Sequence, residues 1–218
     1  MNRRVVLREL LRDKTIPRSL FAGVCADISL QGRGIDLGSK DGAGAQYRHM
    51  NYAKAEIVFS DVTPGSPGTL MIDLEGAIPI EDETFDFALM FFVLEHVFNY
   101  PNALSEAFKC LKPGGRLIGA VPQLERFHPD PDDFHRFTGS GLRRTLEQAR
   151  FDGIAITPVG VGPMTAGAHF ASAYLKFRIL RLPLALIGLT LDWLAAKLSR
   201  KDLSSVYALS FLFEARRP

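Results

Sequence analysis

Arg33-Gly-Ile-Asp-Leu-Gly-Ser-Lys-Asp-Gly42 is the stretch that decides the fold. A short apolar run ends in the acid Asp36, glycines follow, and the next residues can begin a helix. This order predicts a first β-strand that passes through a tight turn into a helix, as in open α/β sheets. Gly38 can adopt a positive φ angle and lets a ligand approach the backbone closely. The sequence therefore predicts a ligand site at the carboxyl end of this strand, with Asp36 beside it.

The glycines after this strand do not have the spacing of a dinucleotide fingerprint. They are Gly38, Gly42 and Gly44, whereas the fingerprint reads G-x-G-x-x-G. A pyrophosphate needs several backbone amides converging at a helix N-terminus. An acid at the turn favours a ligand with an ammonium group instead, although a glycine turn after a strand is also common for purely structural reasons.

Length and composition favour one globular domain of 218 residues, and 47% hydrophobic residues suffice for a packed core. The 26 basic and 24 acidic residues give a net charge of +2, which does not indicate a nucleic-acid partner. Cys25 and Cys110 match no metal spacing and are predicted to be buried thiols in a reducing compartment. The N-terminus lacks a sustained apolar run, so we expect no signal peptide and a cytoplasmic protein.

Apolar runs of strand length alternate with helical patterns along most of the chain. This alternation predicts an α/β fold, a Rossmann-like doubly wound and mostly parallel sheet with an apolar helical segment inserted before the last strand. We divide the single domain 1–218 into a helical lead-in (1–30), a cofactor-binding core (31–160), the helical insertion (161–204) and the last strand (205–218). The predicted strands cover residues 34–37, 55–61, 69–73, 85–92, 116–121, 154–161 and 206–213.

The insertion contains an unusual apolar stretch at residues 182–198, broken by Pro183, Asp192 and Lys197. One interpretation is a helical cap packed on the sheet or on a partner subunit. The other is an interfacial helix in segment 171–201 that dips into a membrane surface, here the inner membrane, with flanking cations meeting anionic lipid. A true membrane span fits less well, because the run is short and carries an internal acid.

Three acids close three of the predicted strands: Asp36, Asp61 and Asp73. In a parallel sheet these strand ends lie side by side. An acid after the second strand can accept both hydroxyls of a ribose, one after the third can accept from a purine amine, and one at the first turn can attract an ammonium. Together they describe adenosine joined to an amino acid, although each acid can also be a turn or capping residue.

Five motifs in this order resemble those of the class I S-adenosylmethionine-dependent methyltransferases over about residues 30–160. They are Gly34-Ile-Asp-Leu-Gly-Ser, Asp73-Leu-Glu-Gly-Ala-Ile-Pro, Glu83-Thr-Phe-Asp86, Val93-Leu-Glu-His-Val97 and Leu111-Lys-Pro-Gly-Gly115. The stretch from His128 to Thr138 is similar to a bacterial subgroup with an Asp-Phe-x-Arg-Phe-Thr signature. Some of that subgroup accompany glycan or lipopolysaccharide synthesis, which suggests the substrate class.

The resemblance implies S-adenosylmethionine as cofactor and assigns residues to its parts. Asp36, Gly38 and Ser39 would line the methionine end, Asp61 the ribose, and Asp73 with Leu74 the adenine. Phe92, at the end of the fourth strand, completes the expected cofactor set. One departure is Lys40, which stands where the family has a small residue and whose charge would repel a sulfonium.

Candidate residues for the acceptor follow the fourth and fifth strands. His96 has a pKa suited to a general base, although it can equally be a structural histidine bonded to a backbone carbonyl. His128, His135 and Arg136 could bind an acidic or sugar substrate. Three aspartates share their loop but match no standard ligand set, so we expect no metal site.

We therefore expect in-line methyl transfer to a small-molecule or glycan/lipid-linked acceptor, with oxygen first because of His96 and with carbon and nitrogen left open. The alternative is a non-catalytic member of the same fold that serves a membrane or protein partner through residues 171–201. A nicotinamide-dependent oxidoreductase is disfavoured, since the sequence lacks both the full G-x-G-x-x-G and a Tyr-x-x-x-Lys pair.

Overall fold

The computed structural model describes residues 1–39, 49–63, 66–175 and 177–218. Within these residues, seven strands belong to one sheet. They are β1 (Ser29–Leu37), β2 (Asn51–Asp61), β3 (Leu70–Met71), β4 (Phe85–Phe91), β5 (Leu111–Pro122), β6 (Asp152–Val159) and β7 (Ser210–Arg216). The described helices are α1 (Arg3–Leu11), α2 (Ile16–Cys25), α3 (Tyr100–Cys110), α4 (Gly139–Gln148), α5 (Pro163–Ser172), α6 (Arg181–Ser199) and α7 (Leu203–Val206).

The strand order along the sheet is β3-β2-β1-β4-β5-β7-β6. The neighbours β3-β2, β2-β1, β1-β4 and β4-β5 are parallel. The end of β7 bonds the start of β5, where the amide of Gly114 donates to the carbonyl of Arg217, so β7 runs against β5. The order reverses between β1 and β4, and this switch point is where open α/β sheets bind ligands. The predicted Rossmann-like, mostly parallel sheet is confirmed.

The central strands form the core of this sheet. Ile35, Leu37, Ala88 and Leu89 have no exposed surface, as expected for strands covered on both faces. At the opposite end of the strands, Asp86 accepts from the Arg33 amide at 2.8 Å and from Lys112 Nζ at 2.8 Å. Asp86 therefore joins the start of β5 to β1 and has a structural role.

Several element boundaries differ from those predicted. The last strand begins at Ser210 rather than at residue 206, because residues 203–206 form the short helix α7. Its N-cap is Asp202, whose carboxylate accepts from the Ser204 amide at 3.0 Å. The Lys112–Gly115 motif does follow the end of α3, but it already lies within β5.

The chain divides into two compact units. One consists of residues Met1–Ile28 and Pro158–Ser210, and the other of Ser29–Thr157 and Phe211–Pro218. We call them the helical unit and the sheet unit. The lead-in and the insertion, which are far apart in the sequence, therefore belong to the same unit. Both cysteines are buried and free, Cys25 in the helical unit and Cys110 in the sheet unit.

In the helical unit, Asp192 explains how an acid can stand in the apolar helix α6. It is fully buried, and its carboxylate accepts from the backbone amides of Met164 at 3.0 Å and Thr165 at 2.7 Å. These amides belong to the first turn of α5, whose N-cap Gly162 offers no side chain. A Cβ at Gly162 would lie 2.6 Å from the Asp192 carboxyl, so the close approach requires glycine. Asp192 thus caps α5 from the neighbouring helix.

The rest of α6 leaves much apolar surface exposed. Among the described helices, α6 is the one long and apolar enough to cross a membrane by length and composition. Ile187 is 56% exposed and Leu198 85%, and Ile179 in the preceding turn is 81% exposed. The helix also lines an apolar cavity of about 330 Å³ with α1, where Leu7, Leu186 and Trp193 meet.

Candidate functional site

The turn after β1 is fixed by its neighbours on both sides. Gly38 has a φ angle of 109°, in the region that favours glycine, and a Cβ there would lie 2.7 Å from Cγ2 of Val93. The amides of Gly38 and Ser39 both donate to the carbonyl of Ser60, at 2.9 and 3.2 Å. The turn therefore packs against the segment after β4 and is bonded to the end of β2.

Asp36 is a buried acid inside this turn. It is 1% exposed, and its Oδ2 has no hydrogen-bond partner among the described residues. The pKa of this carboxyl is raised to about 7, mainly by burial; the Ser39 hydroxyl opposes the shift, and the nearby charge of Asp61 adds to it. A buried carboxyl without a donor is costly unless something outside the chain satisfies it.

Asp61 and Asp73 both form local turns. Oδ1 of Asp61 accepts from the amide of Thr63 at 2.9 Å and from its hydroxyl at 3.2 Å, while the residue itself is nearly buried. Oδ1 of Asp73 accepts from the Glu75 amide at 2.9 Å, and Asp73 is exposed. In each of the two acids, one carboxylate oxygen thus stabilises a local turn. Their predicted contacts with the cofactor stay predictions.

Glu75 anchors the turn that carries Asp73 and Leu74. Its two carboxylate oxygens accept from the amides of Phe98 at 2.6 Å and Asn99 at 3.0 Å, at the start of α3. Asn102 of α3 donates in return to the carbonyl of Gly76 at 2.7 Å. Leu74 is buried within this arrangement. Sequence reasoning missed Glu75, although its place in Asp-Leu-Glu-Gly is the available signal.

Phe92 lies at the carboxyl end of β4 with a φ angle of 56°. For a bulky residue this is a strained conformation, and such strain concentrates at functional sites. Its amide donates to the carbonyl of Ala120 on β5 at 2.8 Å, which holds the backbone in place. Four residues outside the candidate site, Asp13, Glu83, Arg150 and Arg200, also have positive φ angles, so the predicted contact of Phe92 with the cofactor stays a prediction.

His96 follows in a short 3₁₀ turn, Leu94–His96. Its Nδ1 lies 2.6 Å from the carbonyl oxygen of Asp132. Because a carbonyl only accepts, Nδ1 carries the proton, and Nε2 keeps a free lone pair. The structure thus shows the hydrogen bond to backbone at one nitrogen, and the predicted base role of the other stays a prediction.

Glu95, which sequence reasoning missed, is a second buried acid of the sheet unit with unpaired oxygens among the described residues. It has no exposed surface, and neither carboxylate oxygen has a hydrogen-bond partner among the described residues. Its Oε1 lies 4.0 Å from Nε2 of His96. Burial raises the pKa of Glu95 to about 8, against the opposing charge of Arg136. Its position beside His96 in Leu-Glu-His was the available signal.

The loop after β5 folds over this segment. The amides of Phe134 and His135 donate to the Glu95 carbonyl at 2.8 and 3.3 Å. The ring of His128 meets that of His96 edge-to-face with centroids 5.3 Å apart. The structure thus brings together His96 and His128, which sequence reasoning placed on separate segments.

Arg136 is already engaged within the loop. Its guanidinium donates to both oxygens of Asp133, to Oδ2 at 2.6 Å and to Oδ1 through a shorter contact. It also donates to the carbonyl of Arg126 at 3.0 Å. The ion pair with Arg136 holds the pKa of the Asp133 carboxyl well below its usual range. Arg136 therefore shapes the loop, and its predicted contact with a substrate stays a prediction.

His135 points elsewhere. Its Nε2 lies 3.2 Å from the carbonyl oxygen of Phe98, and its ring packs edge-to-face on Tyr100 with centroids 4.7 Å apart. It thus belongs to an aromatic group at the start of α3, and its predicted role in substrate binding stays a prediction. Three residues named above for the glycine spacing and for the charge near the sulfonium lie outside the described residues. They are Lys40, Gly42 and Gly44.

The expectation of no metal considered only the aspartates of the loop. Among the described residues, a different group has the right atoms: Glu95, His96 and His128 each offer a ligand atom within 4.8 Å of the others. Glu95 is buried, while the two histidines are partly exposed.

Comparisons with known proteins agree with this architecture. Residues 7–155 match the methyltransferase-domain family. The chain is 30% identical over 107 residues to the ubiquinone/menaquinone biosynthesis C-methyltransferase UbiE of a Ruegeria species, which covers 49% of this chain and 36% of that protein. It thus spans about a third of the length of the curated relatives it matches.

Solved structures share the fold at low sequence identity. A methyltransferase from Thermotoga maritima, named as dependent on S-adenosylmethionine, has a TM-score of 0.61 at 17% identity, with 97% of this chain and 94% of that chain covered. A 1,6-didemethyltoxoflavin N1-methyltransferase from Burkholderia thailandensis, solved with S-adenosylhomocysteine, has a TM-score of 0.56 at 14% identity, with 94% and 80% covered. With the family match over most of its length, the chain belongs to the class I S-adenosylmethionine-dependent methyltransferases.

Proposed function

We propose that this protein transfers a methyl group from S-adenosylmethionine to an oxygen of a small-molecule or glycan/lipid-linked acceptor. The family membership supports the reaction class. The available lone pair of His96 after β4 supports oxygen, because a hydroxyl acceptor must lose a proton and a carbonyl-bonded Nδ1 leaves Nε2 free to take it.

The turn after β1 fits the cofactor. The Oδ2 of Asp36 is buried without a partner, and an ammonium group is a donor that would satisfy it. Asp61 and Asp73 lie at the ends of the next two strands of the same edge. When bound, S-adenosylmethionine supplies a methyl group on a sulfonium, activated for displacement.

The chain's own residues contribute position and proton handling. The turn around Gly38 is packed on Val93 and bonded to Ser60, so the cofactor edge and the segment of His96 are held together. Such fixed placement supplies most of the acceleration that an in-line displacement needs. His96 would hold the acceptor proton at Nε2 while the Asp132 carbonyl fixes the ring.

The observation that carries the proposal is Oδ2 of Asp36, which is buried without a partner among the described residues, in a glycine turn at the switch point of the sheet. Isothermal titration of the full chain with S-adenosylmethionine and with S-adenosylhomocysteine tests it. We expect micromolar binding of both. If neither binds at millimolar concentration, the alternative of a non-catalytic member of the fold takes its place.

The role of His96 is tested by His96→Ala. We expect turnover to fall by about 100-fold, the usual contribution of a positioned base, with cofactor affinity retained. Release of S-adenosylhomocysteine from a panel of hydroxylated small molecules and glycans gives the measurement. Equal turnover would return His96 to a structural role.

We further propose that segment 171–201 contacts an anionic membrane surface, which suits a lipid-linked acceptor. Ile179, Ile187 and Leu198 are largely exposed, and α6 is followed by Arg200 and Lys201. Apolar side chains flanked by cations are typical of helices that lie in the headgroup region. The cap of α5 by buried Asp192 is consistent with α6 lying on a surface rather than across it.

Co-sedimentation with vesicles containing phosphatidylglycerol, against vesicles of phosphatidylcholine alone, tests this contact. We expect binding to the anionic vesicles that Ile187→Ser with Leu198→Ser weakens at least about tenfold, as follows from removing two apolar anchors. Met71→Ser, at the comparably exposed Met71 on β3, is the matched control. Binding that the double variant does not change would end the membrane hypothesis.

A further inference from the structure

Three side chains form a group at the carboxyl edge of the sheet unit, and the proposed base mechanism uses only one of them, His96. They are Glu95 and His96 from the 3₁₀ turn after β4 and His128 from the loop after β5. One ligand atom from each lies within 4.8 Å of the others, and Nε2 of His96 lies 4.0 Å from Oε1 of Glu95.

Both histidines use Nδ1 for contacts with the loop, which leaves Nε2 as the nitrogen that can serve as a ligand. Nδ1 of His96 donates to the Asp132 carbonyl at 2.6 Å, and Nδ1 of His128 donates to the Arg126 carbonyl at 3.2 Å. Nδ1 of His128 also lies 3.6 Å from the carboxylate of Asp133. Hydrogen bonds from Nδ1 to carbonyls and carboxylates are how proteins orient histidines whose Nε2 binds a metal.

Glu95 supplies the charge. Its side chain is completely buried, and both oxygens lack a hydrogen-bond partner among the described residues. The nearest arginine of the loop, Arg136, is already paired with both oxygens of Asp133. Two lone pairs and a carboxyl therefore face one another without a donor, and a cation would satisfy all three at once.

We propose that Glu95, His96 and His128 bind a divalent cation of the first transition row, and that this cation binds the acceptor oxygen. Two imidazoles and a carboxylate are a common ligand set for such ions and leave positions open for substrate. Ligand atoms around a cation of this size lie about 3 Å apart, so the ligand atoms, now up to 4.8 Å apart, would close by about 1–2 Å. The side chain of His128 is 43% exposed, so its adjustment would disturb little buried packing.

This inference rests on the proposed methyl transfer to oxygen and sharpens it. A hydroxyl bound to a divalent cation loses its proton to water more readily than a free one. In the cation-bound protein, His96 would hold the cation and could not take the acceptor proton. The cation would then replace the base role proposed for His96, while the transfer to oxygen stays the same.

Titration of the chelator-treated full chain with Zn²⁺ and with Co²⁺, without S-adenosylmethionine, tests the site directly. We expect one equivalent to bind with micromolar or tighter affinity, and Co²⁺ to give the absorption of a site with nitrogen and oxygen ligands. Glu95→Gln and His128→Ala should each weaken binding at least about tenfold. His169→Ala, which changes a histidine of α5 outside the group, should leave the affinity unchanged.

We expect the His128→Ala variant to fold normally, because the partly exposed side chain of His128 contributes little to the core. Unfolding curves of each variant check this. Absent binding, or binding that Glu95→Gln and His128→Ala leave unchanged, would overturn the proposal. A separate titration with S-adenosylmethionine distinguishes the two failures: cofactor binding without cation binding rejects the cation alone, whereas cation binding without cofactor binding rejects the methyltransferase.

Discussion

Buried carboxyl groups occur in both units of this protein, and they differ in what satisfies them. In the helical unit, Asp192 accepts two backbone amides from the first turn of α5. At the carboxyl edge of the sheet unit, one oxygen of Asp36 and both oxygens of Glu95 have no partner among the described residues. A satisfied buried acid holds a helix in place, whereas an unsatisfied one indicates a ligand that the chain does not supply.

The two acids of the sheet edge also differ from each other. Asp36 lies beside another carboxylate, Asp61, in a glycine turn, which suits a cationic group of an organic ligand. Glu95 lies beside two imidazole lone pairs, which suit a bare metal cation. Burying a carboxyl oxygen without a hydrogen-bond donor costs free energy at both positions, but the neighbouring residues decide which kind of ligand would satisfy it.

The largest effect expected from this comparison is a dependence of stability on pH. The pKa of Asp36 is raised from 3.8 to about 7 and that of Glu95 from 4.5 to about 8, so the folded chain keeps protons that the unfolded chain has released. The free energy of unfolding of the ligand-free protein should therefore fall as pH rises from about 4 to about 8, by up to about 4 kcal/mol for each carboxyl. Urea unfolding across this range gives the measurement.

The double variant Asp36→Asn with Glu95→Gln should flatten this dependence, because neither amide titrates. If the wild-type protein is equally stable at both ends of the range, the two carboxyls are satisfied in solution and the contrast with Asp192 is lost.

The next effect concerns cofactor affinity. Asp36→Asn removes the charge that would meet the ammonium group and should weaken S-adenosylmethionine binding by about 3 kcal/mol, or about 100-fold. Isothermal titration measures it, with Asp152→Asn, an exposed acid at the start of β6, as the control. Unchanged affinity would remove Asp36 from the cofactor site.

Gly38→Ala tests whether the turn itself is needed. The φ angle of 109° and the 2.7 Å approach to Val93 should make this substitution cost about 2–3 kcal/mol of unfolding free energy, with weaker cofactor binding. Gly68→Ala is a matched control, since Gly68 also has a positive φ angle, of 96°, but meets no atom within 4 Å. Equal losses in both variants would assign the cost to the backbone conformation alone.

The smallest effect should come from the satisfied acid. Asp192→Ala leaves the amides of Met164 and Thr165 without an acceptor and should cost about 1–2 kcal/mol of stability, the usual cost of losing a helix cap. Asp192→Asn keeps one carbonyl oxygen and should cost less. Thermal unfolding measures both. The unfolding free energy lost with Asp192→Ala should be the same with and without S-adenosylmethionine, whereas Asp36→Asn should reduce the stabilisation that the cofactor gives.

Periodicity and strand-end residues predicted the sheet well because they are local signals. The buried runs around Ile35 and Leu89 and the turn at Gly38 follow from alternation, apolar content and glycine. The end of α3 before Lys112-Pro-Gly-Gly115 is equally local. The start of the last strand was harder to predict, because it depends on where the preceding helix α7 ends. This helix has only four residues and is marked by its N-cap Asp202, not by a repeating pattern.

The sequence by itself determined the mostly parallel sheet and the acids that close its strands, because these follow from periodicity and from the alternation of strands and helices. The strand order, and with it the switch point between β1 and β4, comes from the structure. Only the tertiary structure decided which acids lack partners. Asp192 was interpreted as an interruption of an apolar helix, yet the neighbouring helix makes it a cap. Glu95 passed unnoticed, and only the folding of a distant loop brings His128 to it. Whether a buried carboxyl is satisfied depends on residues far away in the chain, and no local pattern records them.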